Sequence, residues 1–271
     1  MKIKLLTTLA AGLVAATALT APALAQTQLV IGASYVPHAE ILEEAAPILA
    51  AEGIELEIVP FQDYILPNTA LALGEIDANY FQHLPYLEEV LANNPDYDFV
   101  NAGAIHIEPI GIYSQRWEGL ADLPEGGEVI MRDSVADEGR ILAILANEGV
   151  IALPEGVDPY SARVSDIAEN PKNLTFRPDV EAALLPQVYL NDDADAVVIN
   201  ANYALDAGLD PVNDPIIVES GENNPYVNII TVRAGDETRP EIVKLVEVLH
   251  SEAIQQFILD KYQGAVLPVS E

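Results

Sequence analysis

Between Phe61 and Glu88 the chain sets five rings (Phe61, Tyr64, Tyr80, Phe81, Tyr86) and His83 among Pro67, Gly74 and Pro85. A stretch that only filled a core would not need so many side chains with a flat apolar body and a polar tip. Such groups suit a small dry pocket that must orient a polar guest. Strand alternation places Phe81 and His83 on one side and Tyr80 on the other. Tyr64, Phe81 and His83 are therefore the pocket candidates and Tyr80 a core residue, with helix capping as a second reading for His83. Arg140 is the candidate anion anchor, because a guanidinium can grip a carboxylate through two parallel bonds. It lies near the start of a predicted helix whose free N–H groups also favour an anion. Asn200 follows the apolar run Ala-Val-Val-Ile, and Asn202 comes two residues later. Carboxyl ends of strands are where open α/β sheets hold ligands, and an amide both donates and accepts. Asn200 is expected to face the guest and Asn202 to cap or pack. Asn228, at the head of Asn-Ile-Ile-Thr-Val-Arg, is a third polar candidate.

Bond-breaking chemistry has no comparable signature. Gly-x-Ser-x-Gly, a phosphate-loop Gly-Lys pair, His-Glu-x-x-His and Gly-x-Gly-x-x-Gly are all absent. The reading is a binding protein, not an enzyme, with no catalytic residue and no cofactor. The four histidines are His38, His83, His106 and His250. His38 and His106 each lie near a glutamate, which would suit zinc or manganese. A metal receptor is therefore the alternative, although no His-rich or acidic loading loop stands out and no metal site is expected.

Short β-rich runs alternate with helical patterns, as in an α/β layered fold. Strands are predicted over 29–33, 55–61, 98–104, 109–114, 128–132, 174–177, 194–200, 216–218 and 228–233. Helices are predicted over 37–51, 83–93, 137–147 and 202–207. A short helix runs from Pro67 to Gly74, and one long or two short helices cover 241–262. Pro47 inside the first helix predicts a kink or break.

The 271 residues carry 12 basic and 43 acidic side chains, a formal charge of -31. That balance excludes nucleic acid, which is held through Lys and Arg clusters, and an anionic membrane surface. It serves solubility, and it suits a saline habitat in which salt screens self-repulsion. Lys2 and Lys4, the apolar run from Leu5 to Thr20 and the Ala23-Leu24-Ala25 site read as a cleaved signal peptide over residues 1–25. Cysteine is absent, so no disulfide or thiol chemistry is available.

The stretch Phe61–Glu88 resembles the signature of the NlpA/MetQ-type methionine-binding solute receptors of bacterial ABC importers. The likeness extends to Gly32–Glu43, His106–Ser114, Glu138–Arg140, Val198–Leu209, Tyr226–Asn228 and Tyr262–Pro268, in the family's order. It implies a two-lobed periplasmic binding protein fold with two chain crossovers: residues 28–110 plus 224–271 form lobe one and 111–223 lobe two. Periodicity alone would also allow a single doubly wound sheet. The resemblance further implies a monomeric periplasmic receptor that captures methionine, a close relative or another small molecule and hands it to an inner-membrane permease. It makes Tyr64, Phe81, His83, Arg140, Asn200, Asn202 and Asn228 the ligand-binding residues. Two departures stand out. Without a lipobox cysteine the protein is expected to diffuse freely, with no lipid anchor. Where the family reads Asn-Asp-Pro-Thr-Asn, this chain reads Asp133-Ser134-Val135-Ala136-Asp137. Asp137 could there pair with Arg140.

Overall fold

The computed structural model describes residues 27–269; the signal-peptide expectation falls outside them. The chain first lays down β1 (Thr27–Ser34), α1 (Glu40–Ala51), β2 (Ile54–Phe61), α2 (Leu66–Leu73), β3 (Ala78–His83), α3 (Leu84–Asn93) and β4 (Phe99–Ile107). It then passes to a second sheet through β5 (Gly111–Tyr113), β6 (Glu128–Arg132), α4 (Val135–Asn147), β7 (Thr175–Val180), α5 (Leu185–Leu190), β8 (Ala196–Ile199), α6 (Ala201–Asp206) and β9 (Ile217–Val218). It returns to the first through β10 (Val227–Arg233), followed by α7 (Pro240–Leu249), α8 (Glu252–Tyr262) and β11 (Leu267–Pro268). The six-stranded sheet runs β11-β4-β10-β3-β1-β2 and the five-stranded sheet β7-β6-β8-β5-β9. A two-lobed α/β fold with two crossovers results, and the single-sheet alternative does not hold.

Each sheet buries its own apolar side chains. Leu29, Ile31, Tyr80, Ile230 and Leu245 belong to the first core, and Ile112, Val129, Met131, Ile141 and Val198 to the second. Tyr80 is fully buried, as strand alternation requires. β3 is buried along its whole length because β1 pairs with it in parallel on one side and β10 antiparallel on the other.

The helix ends follow local chemistry. Gly74 takes φ +73 at the end of α2, where its N–H reaches Ala70 and Leu71 carbonyls. The Ser134 hydroxyl accepts from the Asp137 N–H and so caps α4. Gly139 in α4 allows a close approach: a Cβ there would lie 2.2 Å from the Tyr160 carbonyl oxygen. Pro47 does not break the first helix, which runs through it from Glu40 to Ala51. Pro47 and Glu43 are both exposed, so water can satisfy the carbonyl that the proline leaves without a partner. The predicted helix start at Pro37 is instead a short π-helical turn, Tyr35–Ala39, leading into α1. The closing helical region is two helices, α7 and α8.

Candidate ligand-binding site

The carboxyl ends of β3, β4, β6 and β8 and the start of β10 converge on one cleft between the sheets, where an open α/β fold places its ligand. A narrow cavity, partly open at its mouth, lies there. Tyr64, Phe81, His83, Arg140, Asn200, Asn202 and Asn228 all line it. The sequence thus brings every one of its candidates to one place, together with Tyr86, Glu108 and Arg132, which it did not single out.

One end of the cavity is a cage of rings. The centroids of Tyr64 and Phe81 are 6.0 Å apart, Tyr64 and Tyr86 6.2 Å, and Phe81 and Tyr86 6.3 Å. The Arg132 guanidinium lies over Tyr64 at 4.6 Å and Tyr86 at 4.7 Å, within cation–π range. Its ion-pair partner is Asp137, with Nη1 to Oδ2 at 3.2 Å.

The opposite end is polar. Arg140, 2% exposed, donates from Nε to Glu219 at 2.9 Å and from Nη2 to Glu219 and to the Glu108 carbonyl. The fork expected to grip a guest is therefore closed on Glu219, and the guanidinium rests on Tyr226 at 4.3 Å. Among the described residues its Nη1 makes no hydrogen bond, and Asp137 Oδ1 lies 3.9 Å from it. The expected Asp137–Arg140 pair is thus long, and Arg132 is the closer partner. Asn200 donates from Nδ2 to Asp137 at 3.2 Å, while its buried Oδ1 has no partner among the described residues. Asn202 does not cap or merely pack: it accepts from the Tyr64 hydroxyl at 2.5 Å, and its N–H donates to Glu108 at 3.1 Å. His83 does both things expected of it. Nδ1 accepts from the Tyr86 N–H at 3.1 Å, capping α3, and Nε2 meets Asp137 at 3.2 Å in the cavity wall.

Burial decides the charge states. Asp137 is fully buried, which alone would raise its pKa, but Arg132 and His83 outweigh that and hold it below the usual carboxylate range. Burial raises Glu108 and lowers His83. It also lowers His106 to about 3, and His38 to about 4, the latter against the pull of Glu108. These histidines are neutral at pH 7. His38, His106 and Glu108 form a buried group whose donor atoms lie within 4.8 Å of one another. Glu108 Oε1 takes His106 Nε2 at 2.8 Å and His38 Nε2 at 3.2 Å, and His106 Nδ1 meets the Tyr80 hydroxyl. His38 Nε2 also reaches Asn228 at 3.1 Å. The histidine–glutamate proximity that sequence suggested for zinc or manganese is real. The three side chains form a polar wall in which, among the described residues, His38 Nδ1 is left without a partner.

The lobes are held together across the cleft. Glu89 of α3 accepts from the Ser134 hydroxyl at 2.8 Å and from the Val135 and Ala136 N–H groups at 3.1 and 3.0 Å, at the N-terminus of α4. The Tyr203 hydroxyl donates to the Gln62 carbonyl at 3.0 Å. A buried polar cavity between two such lobes defines the class: a two-lobed solute-binding protein. The profile of the NlpA lipoprotein family matches residues 29–270, and the chain belongs to that family.

Relatives bear this out. The chain is 51% identical over 244 residues to the methionine-binding lipoprotein MetQ of Bacillus subtilis (strain 168), spanning 90% of this chain and 89% of that one. It is 36% identical over 215 residues to the D-methionine-binding lipoprotein MetQ of Escherichia coli (strain K12), spanning 79% and 78%. Among solved structures, a nutrient binding protein from Burkholderia cenocepacia bound to methionine aligns with a TM-score of 0.82 at 39% identity, covering 89% and 99%. These relatives are named as binding proteins and not as enzymes.

One expectation is corrected here. A freely diffusing protein without a lipid anchor conflicts with membership of a lipoprotein family and with relatives that are themselves named lipoproteins. Placement outside the cytoplasm agrees with the family.

Proposed function

We propose that this protein is the receptor of an ABC importer, that it closes two lobes on one free α-amino acid, methionine or a close relative, and that it performs no chemistry itself. The lobes are residues 28–110 plus 224–271 and residues 111–223; the division of strands between the sheets supports these limits. The observation that carries the reading is the pattern of unspent polar groups in a buried cavity. Arg140 keeps Nη1 for a carboxylate, and Asn200 Oδ1 is an acceptor with no protein donor among the described residues. Glu108 adds a carboxylate to the same cavity lining, its oxygens engaged by His38, His106 and the Asn202 N–H. A zwitterion supplies what each lacks: a carboxylate at Arg140 and an ammonium at Asn200 and Glu108. A charge buried without such partners is severely penalised. His83 and Asn228 shape the polar wall, and Tyr64, Phe81 and Asn202 the ring-lined end. The names of the relatives and the methionine bound to the Burkholderia protein support the ligand class.

Ligand contacts from both lobes stabilise the closed form, so binding shifts the population toward it. That form is what the permease would recognise. Calorimetric titration with L-methionine tests the reading, with Arg140→Ala expected to weaken binding more than tenfold, about 1.4 kcal/mol. An unchanged dissociation constant would show that the anchor lies elsewhere.

A further inference from the structure

The ring-lined end of the cavity holds a cation that a purely thioether-binding pocket does not need. Arg132 ends β6, is 7% exposed and lines the cavity beside Tyr64 and Tyr86. A guanidinium offers five N–H donors. Among the described residues, the hydrogen bond it makes through its side chain goes from Nη1 to Asp137. Nε and Nη2 make none, and neither is sealed away from solvent as an unpartnered buried atom. The two tyrosine faces hold the guanidinium plane, and Asp137, the adjacent carboxylate, is tied down by His83 and Asn200 as well.

We infer that Arg132 is a specificity-determining residue, and that it turns this end of the cavity toward an amino acid of about methionine's length whose side chain ends in a neutral oxygen acceptor. The inference rests on the amino-acid-receptor reading and names the guest within it. A thioether sulfur is a weak acceptor and gives the free N–H groups of Arg132 no strong partner. An amide or sulfoxide oxygen pairs them. A neutral acceptor is favoured over a carboxylate because Asp137 already balances the Arg132 charge. A second buried anion would lie beside it without a partner of its own.

The test is calorimetric competition on the full chain among L-methionine, L-methionine sulfoxide (one oxygen more) and L-glutamine. It is repeated on Arg132→Met and on Arg132→Met/Asp137→Asn, the latter removing both members of the ion pair so that no lone buried charge remains. The wild-type protein is expected to prefer at least one oxygen-bearing ligand over methionine by about tenfold, the scale of one charge-assisted hydrogen bond. The double variant is expected to bring that ratio to parity or reverse it. A wild-type preference for methionine over both, or a ratio unmoved in the double variant, overturns the inference while leaving the receptor reading intact. No binding of any amino acid by the wild-type protein overturns both.

Discussion

The hydroxyl of Tyr64 donates to the side-chain oxygen of Asn202 at 2.5 Å, across 138 residues of sequence and from one lobe to the other. The same tyrosine forms part of the ring cage, and the same asparagine gives its N–H to Glu108. Closing the cleft and finishing the pocket are therefore one event. Tyr64→Phe keeps the ring and deletes the bond, leaving Asn202 Oδ1 without its donor. Ligand affinity is expected to fall about fivefold, roughly 1 kcal/mol. An affinity equal to wild type would show that the bond contributes nothing to closure.

Glu89 places its carboxylate on the N-terminus of α4, where three donors and the helix dipole meet it. Because α3 and α4 sit on opposite lobes, the contact bridges the cleft in this structure. Glu89→Ala is expected to loosen ligand binding by about tenfold, on the scale of a charge-assisted contact at a helix end. Small-angle scattering with ligand should show a larger radius than wild type. An unchanged radius and affinity would remove Glu89 from the closing mechanism.

Gly139 is the residue that lets α4 approach the turn at Pro159–Ser161. An added Cβ would come 2.2 Å from backbone, which cannot swing aside as a flexible side chain could. Gly139→Ala is expected to lower stability by about 1–3 kcal/mol, the usual cost of overpacking, despite the better helix propensity of alanine. Denaturant melts of the two proteins decide it, and equal midpoints would contradict the close packing.

Acid should destabilise the protein well before its carboxylates titrate. Burial holds His38 at about 4 and His106 at about 3, both below the ordinary histidine value of 6.5, and His83 is lowered as well. Below 6.5 the unfolded chain takes up protons that the folded chain refuses, so stability is complete above that pH and falls as pH drops toward 4 and 3. Glu108 works in the opposite direction, since its raised pKa means that protonation relieves a buried anion. The wide displacement of His38 and His106 from 6.5 sets the direction expected. Melting temperature should therefore decline from pH 6.5 to pH 4.5, and a flat profile across that range would contradict it.

Much of this was legible in the sequence because it is local. Gly74 ends its helix, and the alternation of Tyr80, Phe81 and His83 sorts core from cavity without any distant information, whereas the cap at Ser134 sets α4 two residues ahead of the expected start at Asp137. The polar candidates could be named because strand ends and rare cations carry a signal. Their partners could not. Glu219 closes on Arg140 from 79 residues away, and Asn202 meets Tyr64 from 138 away, separations that leave no periodic trace. Arg132 had a visible cue, an arginine ending the apolar run Val-Ile-Met just before the altered segment, but only the fold puts it among tyrosines 46 and 68 residues upstream. The unbroken helix through Pro47 depended on which face met solvent, and that tertiary packing decides.

The zwitterion itself can be dissected without changing the protein. Calorimetry on wild-type protein stripped of endogenous ligand would compare L-methionine with its decarboxylated amine, identical except for the group assigned to Arg140. The free amino acid should bind one to one and the amine at least tenfold more weakly, the loss of one buried charge-assisted contact. Equal affinity for the two, or no heat from either, would contradict a receptor that recognises an amino acid by both of its charges.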